Sequence, residues 1–569
     1  MKIKINGKII ETATGKTILE ATLDNKILIP NLCYHPDLKP TNHCKMCVVE
    51  IKGSKKLQYA CSTKAKNGME ILTESPKLQK QRTKNLEKIL KKHLLECDDC
   101  VWNLHCKLLD LVEKYKVKPK IERNKNDEIL QYDSIVFDQT KCIGCGNCVK
   151  ICPVNFLKLN KRKKIEPSKA TNKDCINCGQ CILHCPVGAI EGIGEFEELE
   201  NVFKDKNKIA VVQFAPSIRT SIGEEFGFPN GKIMTEQLIA GLKKLGFNYV
   251  FDTAFGADFT TMEESDELIE RLAKNKRLPA MSSCCPSWVR FVEFYYPEFI
   301  PNLCTARSPQ TMLGGIIKKF WAKKIGAKPE NIFVVSIMPC VSKKFEIKRK
   351  KLKINNLFPV DLVLTTRELV RLLKKNNIDL KNIEPKTADD PFGSPSGAGV
   401  IYGSSGGVFE SALRTACFKM TGNDLGTNAV KNVRGTKGIK EMKIKINGRE
   451  IKVCVANGIK NAAKILKEIK KNPQKYDAIE VMACPGGCVG GGGQLLPTSL
   501  KIIEKRGQSL YAIDQAKIIK SAHKNEGIKK VYEEFFAGGK NKKEVLHTNF
   551  APRKKSEFKK LKNSKETYA

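Results

Sequence analysis

The sequence predicts a multidomain protein in which three small, cysteine-bearing α+β modules precede one large α/β domain. Three observations predict it. The chain has 569 residues, more than a single core organises. Fifteen of its 23 cysteines precede residue 190 at short spacings, so the first third is built around thiols. From about residue 205, short apolar runs alternate with amphipathic segments, the pattern of a largely parallel sheet covered by helices. These changes of texture set the expected boundaries at 1–76, 77–130, 131–200 and 201–550, with a basic tail at 551–569.

The opening residues, MKIKINGKII, alternate apolar and polar side chains about an Asn-Gly pair, which predicts a β-hairpin. They leave no room for a secretory leader, and no apolar run is long enough to span a bilayer. A reducing cytoplasm is therefore expected, where clustered thiols hold metal rather than form disulfides. MKIKING recurs at 442–448 with no further similarity around it, which reads as a reused hairpin and not a domain duplication. The net charge of +39 suits an acidic partner. Nucleic acid is not expected, because the lysines are spread along the chain instead of gathered into a stripe with aromatics. The tail APRKKSEFKKLKNSKETYA reads as a solvated, mobile end.

Each module carries its own ligand set. Cys33, Cys44, Cys47 and Cys61, with a CxxC at the middle pair, suit either zinc or a [2Fe–2S] cluster. His93, Cys97, Cys100 and Cys106 follow; the first two are four apart, on one face if helical, and Cys₃His again admits zinc. His105 competes with His93 as the nitrogen ligand. Residues 142–153 (CIGCGNCVKICP) and 175–186 (CINCGQCILHCP) repeat the CxxCxxCxxxCP run that binds two [4Fe–4S] cubanes, the fourth cysteine of each motif crossing to the other cluster. Cys142, Cys145, Cys148 and Cys185 should hold one, and Cys175, Cys178, Cys181 and Cys152 the other.

In the large domain, IAVVQFA (209–215), YVFDT (249–253), LPAMS (278–282), IFVVSIM (332–338), DLVLT (361–365) and AIEVMA (478–483) read as buried strands, with IMTEQLIAGLKKLG and TRELVRLLKK as helices between them. Pro216 and Ser217, Cys284 and Cys285, Cys340, and Cys484 and Cys488 follow strand ends, where open α/β sheets place their sites.

The stretch PNLCYHPDLKPTNHCKMC resembles the [2Fe–2S] domains of NADH-quinone oxidoreductase large subunits and of iron-only hydrogenases, two families that also carry a [4Fe–4S] cluster with one histidine ligand. SSCCPSW, MPCVSKKFE and EVMACPGGCVGGGGQ resemble the three signature motifs of [FeFe]-hydrogenases, with Ser282 where threonine is usual, and they set the quinone oxidoreductases aside. The whole domain order is similar to that of the large clostridial enzymes. That resemblance implies a β-grasp [2Fe–2S] domain, a small His-Cys₃ domain, a two-cubane ferredoxin domain and an iron-hydrogenase catalytic domain. It implies one [2Fe–2S] and three accessory [4Fe–4S] clusters, plus an H-cluster that reduces protons to H₂. In that H-cluster a [4Fe–4S] cubane held by Cys285, Cys340, Cys484 and Cys488 is bridged through Cys488 to a diiron unit carrying CO, cyanide and a dithiolate.

The same resemblance assigns Lys343, Ser217 and backbone near Pro216 to cyanide or dithiolate, places Gln310 near a CO and packs Met338 on the cluster. Cys284 then carries protons, and Glu264 and Glu267, three apart on one helical face, link it to solvent. Thr261-x-x-Glu264 also fits a helix capping box. Where the family relay has serine this chain has Cys304, a weaker donor, beside Thr305, whose hydroxyl could replace it. The glycine run 490–493 reads as a place of close packing. Cys417 and Cys454 read as buried apolar residues. Expected partners are ferredoxin or a similar carrier and the proteins that mature the diiron site. Alternatively the chain is the hydrogenase subunit of an NAD(P)-linked bifurcating complex, with flavin and NADH on other subunits, since no GxGxxG follows a strand. A non-enzymatic iron–sulfur assembly protein related to hydrogenases is the further alternative; Cys284, Glu264 and Lys343 together argue against it.

Overall fold

The structure is a computed structural model describing all residues except 94–96, 98–99, 101–105, 119–123, 125, 390 and 562–569. The opening hairpin forms as its sequence dictates. Lys2–Ile5 pairs antiparallel with Lys8–Glu11 across Asn6 and Gly7, whose φ of 47° and 85° are the left-handed pair a two-residue turn needs. The second copy repeats this between Ile439–Ile446 and Arg449–Asn457, with Asn447 at 46° and Gly448 at 76°. The first lies in a five-stranded sheet and the second edges a four-stranded one, so only the turn is shared.

In the first module, the hairpin joins strands Glu70–Leu72, Val48–Ile51 and Gln58–Tyr59 in one sheet. Helix Ile18–Asp24 packs on it, started by a capping box between Thr17 and Glu20. Helix Pro76–Leu90 begins at the capping hydroxyl of Ser75. From it, buried Arg82 donates to the carbonyls of Met46 (3.2 Å) and Val48 (2.7 Å), and Asn85 to that of Lys45 (2.7 Å). These bonds clasp the loop carrying Cys44 and Cys47.

That helix stops at Leu90, so His93 and Cys97 do not share a helical face. The His93 ring is instead pinned to the next module, its Nδ1 2.7 Å from the carbonyl of Lys141. His105 lies outside the described residues.

The third module is a sheet of Ile190–Gly192, Ile135–Asp138 and Ile129–Tyr132, with two short helices, Asn147–Ile151 and Gln180–Leu183, one in each cysteine run. Its fourth strand corrects the expectation of a mobile tail: Lys559–Leu561 pairs with Ile129–Tyr132. The tail is held because two apolar side chains hide among its lysines. Phe558 packs on Tyr132 and Phe156, at centroid distances of 4.6 and 6.2 Å, and Leu561 is buried.

The large domain contains two four-stranded sheets. Tyr249–Asp252, Ile209–Phe214, Ile332–Met338 and Leu362–Thr365 are all parallel. Ala280–Met281, Ala478–Met482 and Arg449–Asn457 are parallel, with Ile439–Ile446 antiparallel at the edge. Nearly all side chains of the parallel strands are buried, which is why their sequence reads as continuous apolar runs, whereas the edge strand Ile439–Ile446 alternates buried and exposed residues. The 22-residue helix Thr253–Lys274 starts at Asp252, whose carboxylate accepts from the Ala254 N–H.

An ion-pair cluster fastens the third module to the large domain. Arg290, on helix Pro286–Tyr295 and fully buried, pairs with Asp174 (2.9 Å) and Asp133 (2.5 Å). Removing one member strands the others' charge in a dry interface, at a cost of about 3–5 kcal/mol. Arg290→Met should therefore lower the melting temperature and raise amide exchange in residues 129–138 and 174–190; unchanged exchange there would contradict this role.

Candidate active site

The strand ends converge as their sequence positions suggest. Pro216 and Ser217 follow Ile209–Phe214, Cys284 and Cys285 follow Ala280–Met281, Met338 and Cys340 end and follow Ile332–Met338, and Cys484 follows Ala478–Met482. They enclose a cavity of ≈ 80 Å³, lined also by Cys488, Gln310 and Lys343. Every residue assigned above to the cubane or the diiron pocket is present. Burial raises the pKa of all four thiols expected to hold the cubane, and Cys484 and Cys488 are raised further by Cys285 and Cys340. Such a set wants cations, because a bound metal replaces several protons at once.

Whether the pocket fits a polar, anionic group can be tested on its hydrogen bonds. Ser217 Oγ and Gln310 Oε1 are buried with no partner among the described residues. Gln310 Nε2 donates to Glu346 Oε2 (2.6 Å), so the amide orientation is fixed and Oε1 is the atom left over. The same carboxylate oxygen accepts from Lys343 Nζ (2.9 Å) and Ser308 Oγ (2.9 Å), while Lys343 also donates to the Cys284 carbonyl (3.1 Å). Burial alone would lower the pKa of Lys343, but the Glu346 carboxylate outweighs it and holds the pKa above its ordinary value. Thiolates, a fixed ammonium and unpaired polar atoms in one small cavity fit an iron–sulfur cubane beside a diiron unit with anionic ligands. Glu346 had no role in the sequence reading, although it is the last residue of MPCVSKKFE.

The glycine run packs against backbone, as its close-packing reading requires. A Cβ on Gly491 would meet the Pro339 carbonyl at 2.2 Å, and one on Gly492 the Cys178 carbonyl at 2.4 Å. Gln180 Nε2 adds a bond to the Gly490 carbonyl (2.9 Å), and the Cys484 thiol points at the Cys178 carbonyl (3.9 Å). Cys484 and the glycine run thus adjoin the loop of the second cysteine run.

The N-terminal thiols gather in the expected sets. Cys33 and Cys44 are 3.4 Å apart, with Cys47 against Cys61. Cys148 is raised by burial and then by Cys145, Cys185 and Cys142; Cys178 by burial and then by Cys181, Cys175 and Cys152, so the fourth cysteine of each run lies beside the other run's thiols. Cys106 is influenced by Cys100 and Cys97. A carbonyl only accepts, so His93 Nδ1 carries its proton toward Lys141 and leaves Nε2 for a metal, the usual arrangement of a ligating histidine. Asn147 donates to the Cys33 carbonyl (3.2 Å), and His43 Nε2 lies 3.0 Å from the Ile143 carbonyl. Both outer thiol groups therefore border the Cys142–Cys148 loop. Among the described residues no three His, Cys, Asp or Glu side chains form a single-ion site. Cys417 and Cys454 are buried, as expected.

Glu264 and Glu267, expected in the proton route, share the helix Thr253–Lys274. The capping-box alternative is excluded: the helix begins at Asp252, and Thr261 lies mid-helix with its hydroxyl on the Ala257 carbonyl (2.9 Å). Glu264 is 5% exposed and accepts from the Ser283 backbone, next to Cys284. Burial, then Glu267, pushes its carboxyl up to about 8. Burial, then Glu264, raises the Cys284 thiol well above its usual range. Buried Cys304 is influenced by both Glu267 and Glu264. It is Thr305 that bonds Glu267, through its backbone N–H (2.8 Å) and its hydroxyl (3.1 Å), while Arg271 pairs with the other carboxylate oxygen.

Comparison with known proteins agrees with this arrangement. Residues 208–492 match the family model of the iron only hydrogenase large subunit, C-terminal domain, and 500–553 that of the iron hydrogenase small subunit. Residues 1–76 match a 2Fe-2S iron-sulfur cluster binding domain and 141–189 a 4Fe-4S dicluster domain. The chain is 38% identical to iron hydrogenase 1 of Clostridium pasteurianum over 96% of its own length and 99% of that protein's. It is 36% identical to the NADP-reducing hydrogenase subunit HndD of Solidesulfovibrio fructosivorans over 98% and 99%. A solved structure of an apo [FeFe]-hydrogenase variant from Chlamydomonas reinhardtii, 36% identical, covers 62% of this chain and 98% of its own, with a TM-score of 0.56. With these matches spanning both the cluster modules and the catalytic domain, the chain belongs to the iron-only hydrogenase family and is an oxidoreductase of that family.

Proposed function

We propose that this hydrogenase interconverts H₂ with two protons and two electrons in the cavity below Cys284, and exchanges its electrons with ferredoxin through the N-terminal cluster modules. One observation carries the reading: four thiols, a charged lysine and unpaired polar atoms meet in one cavity, and a thiol and a carboxyl lead away from it. Cys285, Cys340, Cys484 and Cys488 would hold the catalytic cubane. Cys33, Cys44, Cys47 and Cys61 would hold a [2Fe–2S] cluster, and His93 with Cys97, Cys100 and Cys106, together with the two crossed sets, three [4Fe–4S] clusters. When bound, these groups store and pass electrons, and the diiron unit supplies the place where protons are reduced.

The chain's own residues do the rest. Lys343, kept charged by Glu346, would donate to an anionic ligand of the diiron unit, a bond to a charged group being worth about 1.5–3 kcal/mol. Cys284 remains a thiol at neutral pH because burial and Glu264 disfavour the thiolate, so it has a proton to give. Glu264 can refill it, being largely protonated below about 8. Tight packing around the cavity excludes other water from the reacting site.

The electron partner has a second reading, favoured by one relative: a chain similar over its full length is a subunit of an NADP-reducing hydrogenase. With no nucleotide fingerprint here, flavin and NAD(P)H would then bind other subunits. No helix among the described residues is long and apolar enough to cross a membrane.

Two predictions follow from these assignments. The proton-donating form of Glu264 is lost as pH rises through about 8, so hydrogen evolution should fall along a limb centred there. Glu264→Gln should lower the rate by about 10²–10⁴-fold with iron content intact; a near-normal rate would exclude Glu264 from proton delivery. The purified, matured chain should evolve H₂ from reduced ferredoxin and not from NADPH. Activity with NADPH that appears only when flavin-bearing subunits co-purify would select the second reading.

A further inference from the structure

The segment matching the small subunit ends beside the proton-carrying helix, and it brings a histidine there. His547 follows helix Lys540–Leu546, with its Nδ1 2.9 Å from Thr305 Oγ1 and its Nε2 2.9 Å from Glu263 Oε2. The Thr305 hydroxyl is 3.1 Å from Glu267 Oε2. A continuous hydrogen-bonded line therefore runs from Glu267 through Thr305 and His547 to Glu263. Glu263 is almost fully buried, yet it is bonded by Tyr532 and pairs with Lys542 (3.1 Å), while the His547 side chain is 26% exposed. Burial would raise the Glu263 carboxyl, but His547, Tyr532 and Lys542 outweigh it and hold it below its ordinary range.

We propose that His547 is a proton-collecting residue that feeds Glu267 through the Thr305 hydroxyl. The inference rests on the assignment of Glu267 and Glu264 to proton delivery. The protons balance in one concerted step. An imidazolium at His547 gives its Nδ1 proton to Thr305 Oγ1, and Thr305 passes its own hydroxyl proton to Glu267. The ring is left neutral, with Nε2–H still on Glu263 and Nδ1 bare; once the Thr305 hydroxyl has turned to Glu267, a water at the partly exposed ring returns a proton to Nδ1 and the cycle closes. Histidine suits this work because an imidazole can take up and release a proton near neutral pH, and Glu263 Oε2, 2.9 Å from Nε2, fixes the ring with Nδ1 toward Thr305. Arg271, the other partner of Glu267, cannot relay a proton, because a guanidinium only donates and does not give up its proton. Glu267 is itself 14% exposed, so direct entry from water persists and the His547 line adds to it. The hydroxyl that reaches Glu267 comes from Thr305 and not from the neighbouring Cys304.

The test uses the full, matured chain. His547→Ala and Thr305→Val should each lower hydrogen evolution about tenfold at alkaline pH, where direct proton entry is slow, with cluster spectra unchanged. Thr305→Ser should restore the rate, and added imidazole should rescue His547→Ala while cyclopentanol, of similar size but not basic, should not. Isotope-labelled histidine gives a second readout in the protein without its diiron unit: Thr305→Val should move the resonance of Nδ1, the nitrogen bonded to Thr305 Oγ1. The groups facing His547 are Glu263, Lys542, Tyr532, the Thr305–Glu267 pair and Arg307, which donates to its carbonyl. A wild-type rate in His547→Ala, loss without imidazole rescue, or an unmoved Nδ1 resonance would overturn the proposal. Full activity in Glu264→Gln would instead overturn the route it feeds.

Discussion

Successive side chains of an extended backbone project to opposite sides, and the catalytic domain is organised around that constraint at Cys284 and Cys285. Cys285 has extended dihedrals, φ −95° and ψ 107°, and caps the helix that Pro286 starts, so its thiol faces the backbone of Ala483 and Trp288. Cys284 turns the other way, toward Glu264 and Tyr402. Two residues of the same chemistry thereby acquire different neighbours without any loop between them. In the proposed mechanism this separation keeps electron and proton traffic on opposite sides of one cavity.

The rest of the architecture holds those two sides in place. On the electron side, glycines 491 and 492 admit the backbone of the second cysteine run, and Arg290 locks that module to the helix following Cys285. On the proton side, one carboxylate oxygen of Glu346 gathers Lys343, Gln310 and Ser308, and the helix Thr253–Lys274 carries Glu264 beneath Cys284. The C-terminal chain touches both sides. His547 reaches the acidic helix, and Phe558 and Leu561 reach the first strand of the ferredoxin-like sheet.

How much of this was legible in the sequence depended on the range of the controlling interaction. The Asn-Gly hairpins are set by local geometry and formed as read. The parallel strands showed as unbroken apolar runs because both faces are covered. What the sequence left open, missed or misread lies where tertiary contacts decide. Thr261-x-x-Glu264 has the letters of a capping box, but a strand end at Asp252 fixed the start of the helix two turns earlier. His93 sits beyond its helix because its ring is tied to Lys141, 48 residues away. Phe558 looked like one more residue of a basic tail, and His547 lies 242 residues from Thr305, so no spacing rule could join them.

The claim that the adjacent thiols serve different partners is tested most directly by comparing Cys284→Ala with Cys285→Ala in matured protein, by electron paramagnetic resonance and by the infrared bands of bound CO and cyanide. The account predicts that Cys284→Ala keeps both the cubane signal and the infrared bands while turnover collapses, and that Cys285→Ala loses the catalytic cubane. Loss of the cubane in Cys284→Ala, or its retention in Cys285→Ala, would contradict it.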